Sequence, residues 1–135
     1  MASELKVDKF TGVTTAGSIL VTGEGNSTTT NLQQGLAKAF LTYNNAGSIQ
    51  DSFNMGSVTD SGTGNYVTGF TSNLSNALYV TAGTTIGGTG NQSVLDAHQT
   101  NGVKGTTGYE VGVSDNNNAD QDNTKSQTVD FGDLA

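Results

Sequence analysis

Apolar and polar residues alternate with a period of two along much of this chain, the pattern of strands buried on one face. Over Glu4 to Phe10, Leu5 and Val7 share one face and Glu4, Lys6 and Asp8 the other. Ser18 to Thr22 is a short run rich in β-branched residues, and Leu41 to Asn44 opens another strand. The longest patterned stretch is Ile49 to Val80. There Phe53, Met55 and Val58 on one arm and Tyr66, Val67 and Phe70 on the next flank Asp60-Ser61-Gly62-Thr63-Gly64-Asn65. Glycine reaches positive φ without steric cost and Asp and Asn satisfy their own backbone, so this centre is a turn. The pattern predicts a β-hairpin with a loop longer than two residues, followed by a third arm at Ala77 to Val80.

Beyond it, Thr81 to Ser93 carries several glycines and reads as a surface loop anchored by Ile86. Val94 to His98 suits either a strand or a helical turn. Tyr109, Val111 and Val113 share a face, as do Val129 and Phe131. These last two segments are expected to pair as a closing hairpin around a long exposed loop, Ser114 to Gln127. Phe53, Phe70 and Phe131 fall at positions expected for the core. A helical period occurs once, over Ser27 to Phe40, where Leu32, Leu36 and Phe40 recur every four residues. Thr30 or Asn31 can cap it, and Gly35 weakens it. The whole predicts an all-β antiparallel sandwich, jelly-roll-like, with one short helix near residues 30–40. An extended N-terminal arm over 1–22 is expected to precede a head over 23–135.

Composition sharpens this. Hydrophobic residues make up 33% of 135 residues, below the usual ~45–50%, so part of the surface is expected to be covered by a partner. The 19 glycines and abundant Thr, Ser and Asn belong to strands and turns rather than helices. The net charge of −7, with 5 basic residues, argues against nucleic acid and against anionic membrane surfaces. No apolar run of about 18 residues is present, so no membrane insertion is expected, and the start, MASELKVDKF, lacks the apolar centre of a signal peptide. There is no cysteine, hence no disulfide and no thiolate metal site.

Catalytic chemistry is sparse. His98 is the one histidine, and no GxSxG, HExxH or phosphate-loop pattern occurs. One stretch offers ligands for a hard cation such as calcium, which takes several oxygen donors. It runs from Asp115 to Asn123 and presents Asp115, Asn117, Asp120 and Asp122, although it lacks the glycine and final glutamate of an EF-hand loop. The alternative for these four is a solvated acidic loop. Apart from that calcium reading, no cofactor is expected. Asn26-Ser27-Thr28, Asn73-Leu74-Ser75 and Asn91-Gln92-Ser93 match the short N-glycosylation pattern, as expected by chance in so Asn/Ser/Thr-rich a chain.

Three segments together, Gly17–Phe40, Asp51–Val80 and Gln127–Ala135, resemble virion structural proteins of tailed bacteriophages of marine bacteria, of the tail-fibre or appendage type. The resemblance covers about half the chain and differs at Phe40, often Trp in that family, and in the acidity of the last loop. It implies a β-rich domain on a virus particle, a homotrimer contacting other virion proteins and a host surface glycan, with no catalytic residues. Leu5, Val7 and Phe10 are the residues expected to carry assembly, by adding the arm to the sheet of a neighbour; the alternative is that this arm is the first strand of the same sandwich. A capsid decoration protein and a carbohydrate-binding module are the rival readings, and an enzyme a more distant one. Against the carbohydrate module stand the absence of Trp and the core pattern of the tyrosines.

Overall fold

The computed structural model describes residues 4–12, 19–23, 29–87, 93–96 and 104–135. The chain divides into two compact units, Met1–Leu36 and Ala37–Ala135, so the division falls after Leu36 rather than at the expected 22/23.

In the first unit, β1 (Leu20–Thr22) pairs antiparallel with β2 (Thr29–Asn31), and α1 (Leu32–Gly35) follows directly. Asn31 caps the helix, its side-chain oxygen accepting from Gln33 N at 2.8 Å. Helix formation stops after four residues, because Leu36 turns to extended backbone (φ −98°, ψ 142°). Nothing on the helix is buried, so no packed face repays the cost of nucleating a longer one. The expected helix over Ser27–Phe40 is thus a single turn, and Phe40 belongs to a strand.

The second unit is an antiparallel β-sandwich, with eight strands among the described residues; consecutive strands pair as hairpins within one sheet, which a jelly roll's alternation between sheets does not give. These are β3 (Ala39–Asn44), β4 (Ile49–Phe53), β5 (Met55–Gly62), β6 (Asn65–Phe70), β7 (Val80–Ile86), β8 (Ser93–Asp96), β9 (Gly108–Asp115) and β10 (Lys125–Phe131). Sheet one runs β4-β3-β10-β7 and sheet two β5-β6-β9-β8. The core is Leu41 and Tyr43 from β3, Met55, Tyr66 and Phe70 from β5 and β6, Leu74, Tyr79, and Tyr109, Val111 and Val113 from β9. Phe70, Tyr79 and Tyr109 form a ring cluster with centroids 5.5–6.0 Å apart. Tyr43 meets Tyr66 edge-on at 5.0 Å.

The central hairpin is present as β5 and β6, but its turn is tight. Gly62 pairs with Asn65, leaving Thr63 and Gly64 as a two-residue connection with Gly64 at φ 71°. The remaining length is taken up by register shifts at Met55/Ser57 and Asp60/Gly62. The arm over 49–58 is not one strand. Asn54, at φ 55°, bends it so that β4 joins sheet one and β5 joins sheet two. Its amide donates to Lys38 O (3.1 Å) and Ser72 O (3.0 Å), and its Oδ1 accepts from Ser72 N (2.7 Å). Asparagine tolerates this left-handed conformation, and these three bonds hold it there.

Three further expectations are corrected. β9 and β10 do not pair: β9 lies in sheet two, β10 in sheet one, and the intervening segment crosses between sheets. Thr81–Ile86 is a strand, not a loop, because its β-branched residues pair with β10 along all six positions despite Gly83. Of the three phenylalanines placed in the core, Phe70 is buried, but Phe53 and Phe131 lie on the outer face of sheet one. On β10 the buried residues are Ser126, Thr128 and Asp130, and the apolar alternates face out. The residues of 94–98 left open between strand and helical turn include the end of β8, while His98 lies outside the described residues.

Replacing Phe70 by Ala should destabilise the fold by about 3–5 kcal/mol. Asn54→Ala loses three hydrogen bonds and leaves a Cβ-bearing residue at positive φ without its local support. It should cost about 2–4 kcal/mol in urea unfolding. Asn54→Gly, which relieves the φ strain alone, should cost less than the alanine variant.

Candidate functional site

Of the four side chains read as calcium ligands, the Asn117 amide lies against Asp115, while Asp115, Asp120 and Asp122 are drawn to separate partners. Asp115 closes a tight loop on itself, its Oδ1 accepting from Asn117 N (2.8 Å) and Ala119 N (2.9 Å). Those backbone donors hold its carboxyl below the ordinary range. Asp122 reaches across to the β5–β6 turn, where its Oδ1 accepts from Gly64 N (2.8 Å) and the Tyr66 hydroxyl (3.3 Å). The Tyr66 hydroxyl also lies 3.0 Å from Asn45 O. Asp120 is the weak point, with one long contact of 3.5 Å from the Asn65 amide. Backbone bonds complete the clasp: Val113 N to Gly64 O (2.7 Å) and Gln121 N to Val113 O (2.9 Å). Gly64 has to be glycine here, since a Cβ would collide with the Val113 carbonyl. The loop therefore fastens the crossing from β9 to β10 against the hairpin tip. Among the described residues, no group of three or more His, Cys, Asp or Glu side chains is placed to hold a metal ion.

A second constellation lies between the sheets, and the sequence reading passed over it. Asp130 is fully buried (0% exposed). Its carboxylate accepts from the Thr81 hydroxyl of β7 (2.5 Å) and the Tyr109 hydroxyl of β9 (3.0 Å). The Thr128 hydroxyl stands 2.8 Å from the same phenol. One step along, Ser126 and Thr85 hydroxyls lie 3.0 Å apart, and the Asn123 amide donates to Thr85 Oγ1 at 2.8 Å. The Tyr79 hydroxyl is 3.1 Å from Gly105 O and 3.2 Å from Gly108 O. The Lys104 ammonium sits 4.0 Å from the Tyr79 ring centre and donates to the Tyr79 carbonyl, a cation–π contact with one hydrogen bond. Burial raises the Asp130 carboxyl against the pull of Thr81, Tyr109 and Lys104. Burial likewise lowers the Lys104 ammonium, against the pull of Asp130. This is a set of mutually satisfied groups that joins β7 and β10 to β9 across the sandwich. Its trace in the sequence was the alternation Ser126-Thr128-Asp130, which mirrors Val129-Phe131 one residue out of step.

No family model, curated protein or solved structure matches this chain. The arm residues therefore have to be read from their own geometry. Residues 4–12 belong to no helix or strand ladder among the described residues, and Leu5, Val7 and Phe10 are 73, 47 and 61% exposed. The fold does not bring them together with the acidic loop or the buried network in one site. Asn73 of the central N-glycosylation match is exposed, whereas Leu74 inside it is buried. The other two matches fall wholly or largely outside the described residues.

All four tyrosines, Tyr43, Tyr66, Tyr79 and Tyr109, are buried, and burial pushes every phenol upward. Tyr43 rises to about 12, with Ser126 beside it pulling back. A raised folded-state value means that the protonated phenol is the form the fold favours. That stability is intact below the unfolded value of about 10 and is lost as pH climbs through the folded values. A 295 nm titration should show no phenolate at pH 10 and a cooperative rise that coincides with unfolding near or above pH 12. Phenolate appearing at pH 10 without unfolding would contradict the packing. The same sign holds for Asp130, so its contribution is full in acid and declines as pH rises through its raised value. Asp130→Asn should flatten that part of the melting midpoint's pH dependence. Asp122→Ala should cost about 1–3 kcal/mol by orphaning Gly64 N, the Tyr66 hydroxyl keeping Asn45 O as its partner, whereas Asp120→Ala should stay within about 0.5 kcal/mol.

Proposed function

We propose that this chain is a non-enzymatic structural subunit of a tailed-bacteriophage particle, a compact fibre- or knob-type appendage that docks through the segment 4–12. The observation that carries the reading is the exposed apolar stripe of Leu5, Val7 and Phe10 on a segment that belongs to no described strand or helix. Such a segment gains both hydrogen bonds and side-chain burial by adding to the sheet edge of another virion protein. Two features support the same reading. The buried polar groups hold one another and brace the sandwich. The chain's order of segments resembles appendage proteins of marine phages. Capsid decoration is the second reading, since an exposed docking stripe serves a shell protein equally well.

Removing residues 1–11 tests the docking segment. The truncated protein should melt cooperatively, with a midpoint close to that of the full chain, and should no longer co-purify with particles. Incorporation at the full-length level would remove the docking role. Quantitative mass spectrometry of purified virions separates the two readings: tens of copies indicate an appendage and hundreds a decoration protein. Absence of the full-length protein from virions sinks both.

A further inference from the structure

Sheet one is built inside out along two of its strands. Toward the sandwich interior, β10 presents Ser126, Thr128 and Asp130, and β7 presents Thr81 and Thr85 to them. The opposite face carries the apolar alternates. Strand register sets Phe53, Phe40, Val129 and Ala82 in one row across all four strands. Phe131 and Val80 pair beside that row. Phe40, Phe53 and Phe131 are 37, 52 and 39% exposed. Strands with polar residues inward and apolar residues outward hide their hydrophobic side only if something packs on the outside.

The face also carries both halves of its own complement. Phe40 and Phe53, stacked with ring centres 6.2 Å apart, stand on the β3–β4 side. On the β10–β7 side, the small residues Ala82, Gly83 and Thr84, with Gln127, Thr128 and Val129, line an open depression of about 400 Å³. We infer that the outer face of sheet one packs against the same face of a second copy of this chain. Each copy's Phe40–Phe53 pair enters the other's depression. The two-fold axis runs along the strands between β3 and β10. That axis sets Phe53 over Ala82, Phe40 over Val129, Thr42 over Gln127 and Asp51 over Thr84. Like charges do not meet, which matters between two chains each of net charge −7. A flat sheet face packs naturally on another sheet face, and a two-fold contact needs only one self-complementary patch. Four strands of about five to seven residues give a footprint of roughly 400 Å² before side-chain relief. That is about half the ~800 Å² per partner of a standard interface, the size of a weak, transient contact, so association is expected in the range of tens of micromolar. This inference is independent of the phage reading and of segment 4–12.

Light scattering on the full chain tests it. The expected mass at about 0.1 mM approaches twice 13.8 kDa, falling toward the monomer on dilution. Phe53→Thr with Val80→Thr puts a β-branched, strand-favouring residue at both positions and removes the apolar contact. This double variant should weaken association by at least roughly 30-fold while leaving the far-ultraviolet spectrum unchanged. Val67→Thr alters an exposed valine on the outer face of sheet two and should change nothing. Should the double variant fail to fold, hydroxyl-radical labelling of the unaltered protein answers instead. Phe40, Phe53 and Phe131 should become protected as concentration rises, and Val67 should not. A monomer at 0.1 mM, a trimer, or phenylalanine labelling independent of concentration would each overturn the pairing.

Discussion

The structure depends on burying one carboxylate between two sheets. An unpartnered charge there would cost several kcal/mol, so Asp130 has to be met from more than one direction. Thr81 reaches it along sheet one and Tyr109 from sheet two. Those two bonds decide which side of β10 faces inward. Once Asp130 is inside, Thr128 and Ser126 are inside with it, because side chains on a strand alternate strictly. The hydrophobic alternates of the same strand are then forced to the outside. The interior polar network and the apolar exterior are two consequences of one register.

The corner at Asn54 and the clasp at Gly64 keep that register from slipping. At the corner the chain passes from sheet one to sheet two within a single residue, so the offset between the sheets is set covalently as well as by packing. At the clasp, the Asp122 carboxylate and the Val113 amide tie the β9–β10 crossing to the hairpin tip. The acidic loop whose composition suggested cation binding spends Asp115 and Asp122 on backbone amides.

Much of the fold was legible in the sequence. The period-two segments, β-branched residues and glycine-rich turns led to an all-β antiparallel sandwich with one short helix, and the structure has that form. The β5–β6 hairpin and the interior positions of Tyr66, Phe70, Tyr109, Val111 and Val113 followed from the same periodicity. Less of the candidate site was legible. Alternation gives two faces but does not say which is inside, and hydrophobicity chose the wrong one for Phe131. Phe53 was misplaced for a different reason, since a bend of one residue at Asn54 leaves no mark on a periodic pattern.

The sequence by itself determined the class of structure, because strand periodicity, turn chemistry and the lack of helical stretches are local properties. It also determined that some apolar residues would remain uncovered, with Leu5, Val7 and Phe10 set apart on their own stretch of chain. Only the tertiary structure decided that β9 and β10 belong to different sheets, that Thr81–Ile86 is a strand, and that Asp130 is an interior residue. Each depends on partners far away in sequence, as Thr81 and Tyr109 are from Asp130, and the energy of a buried polar group is set by those partners rather than by its neighbours along the chain.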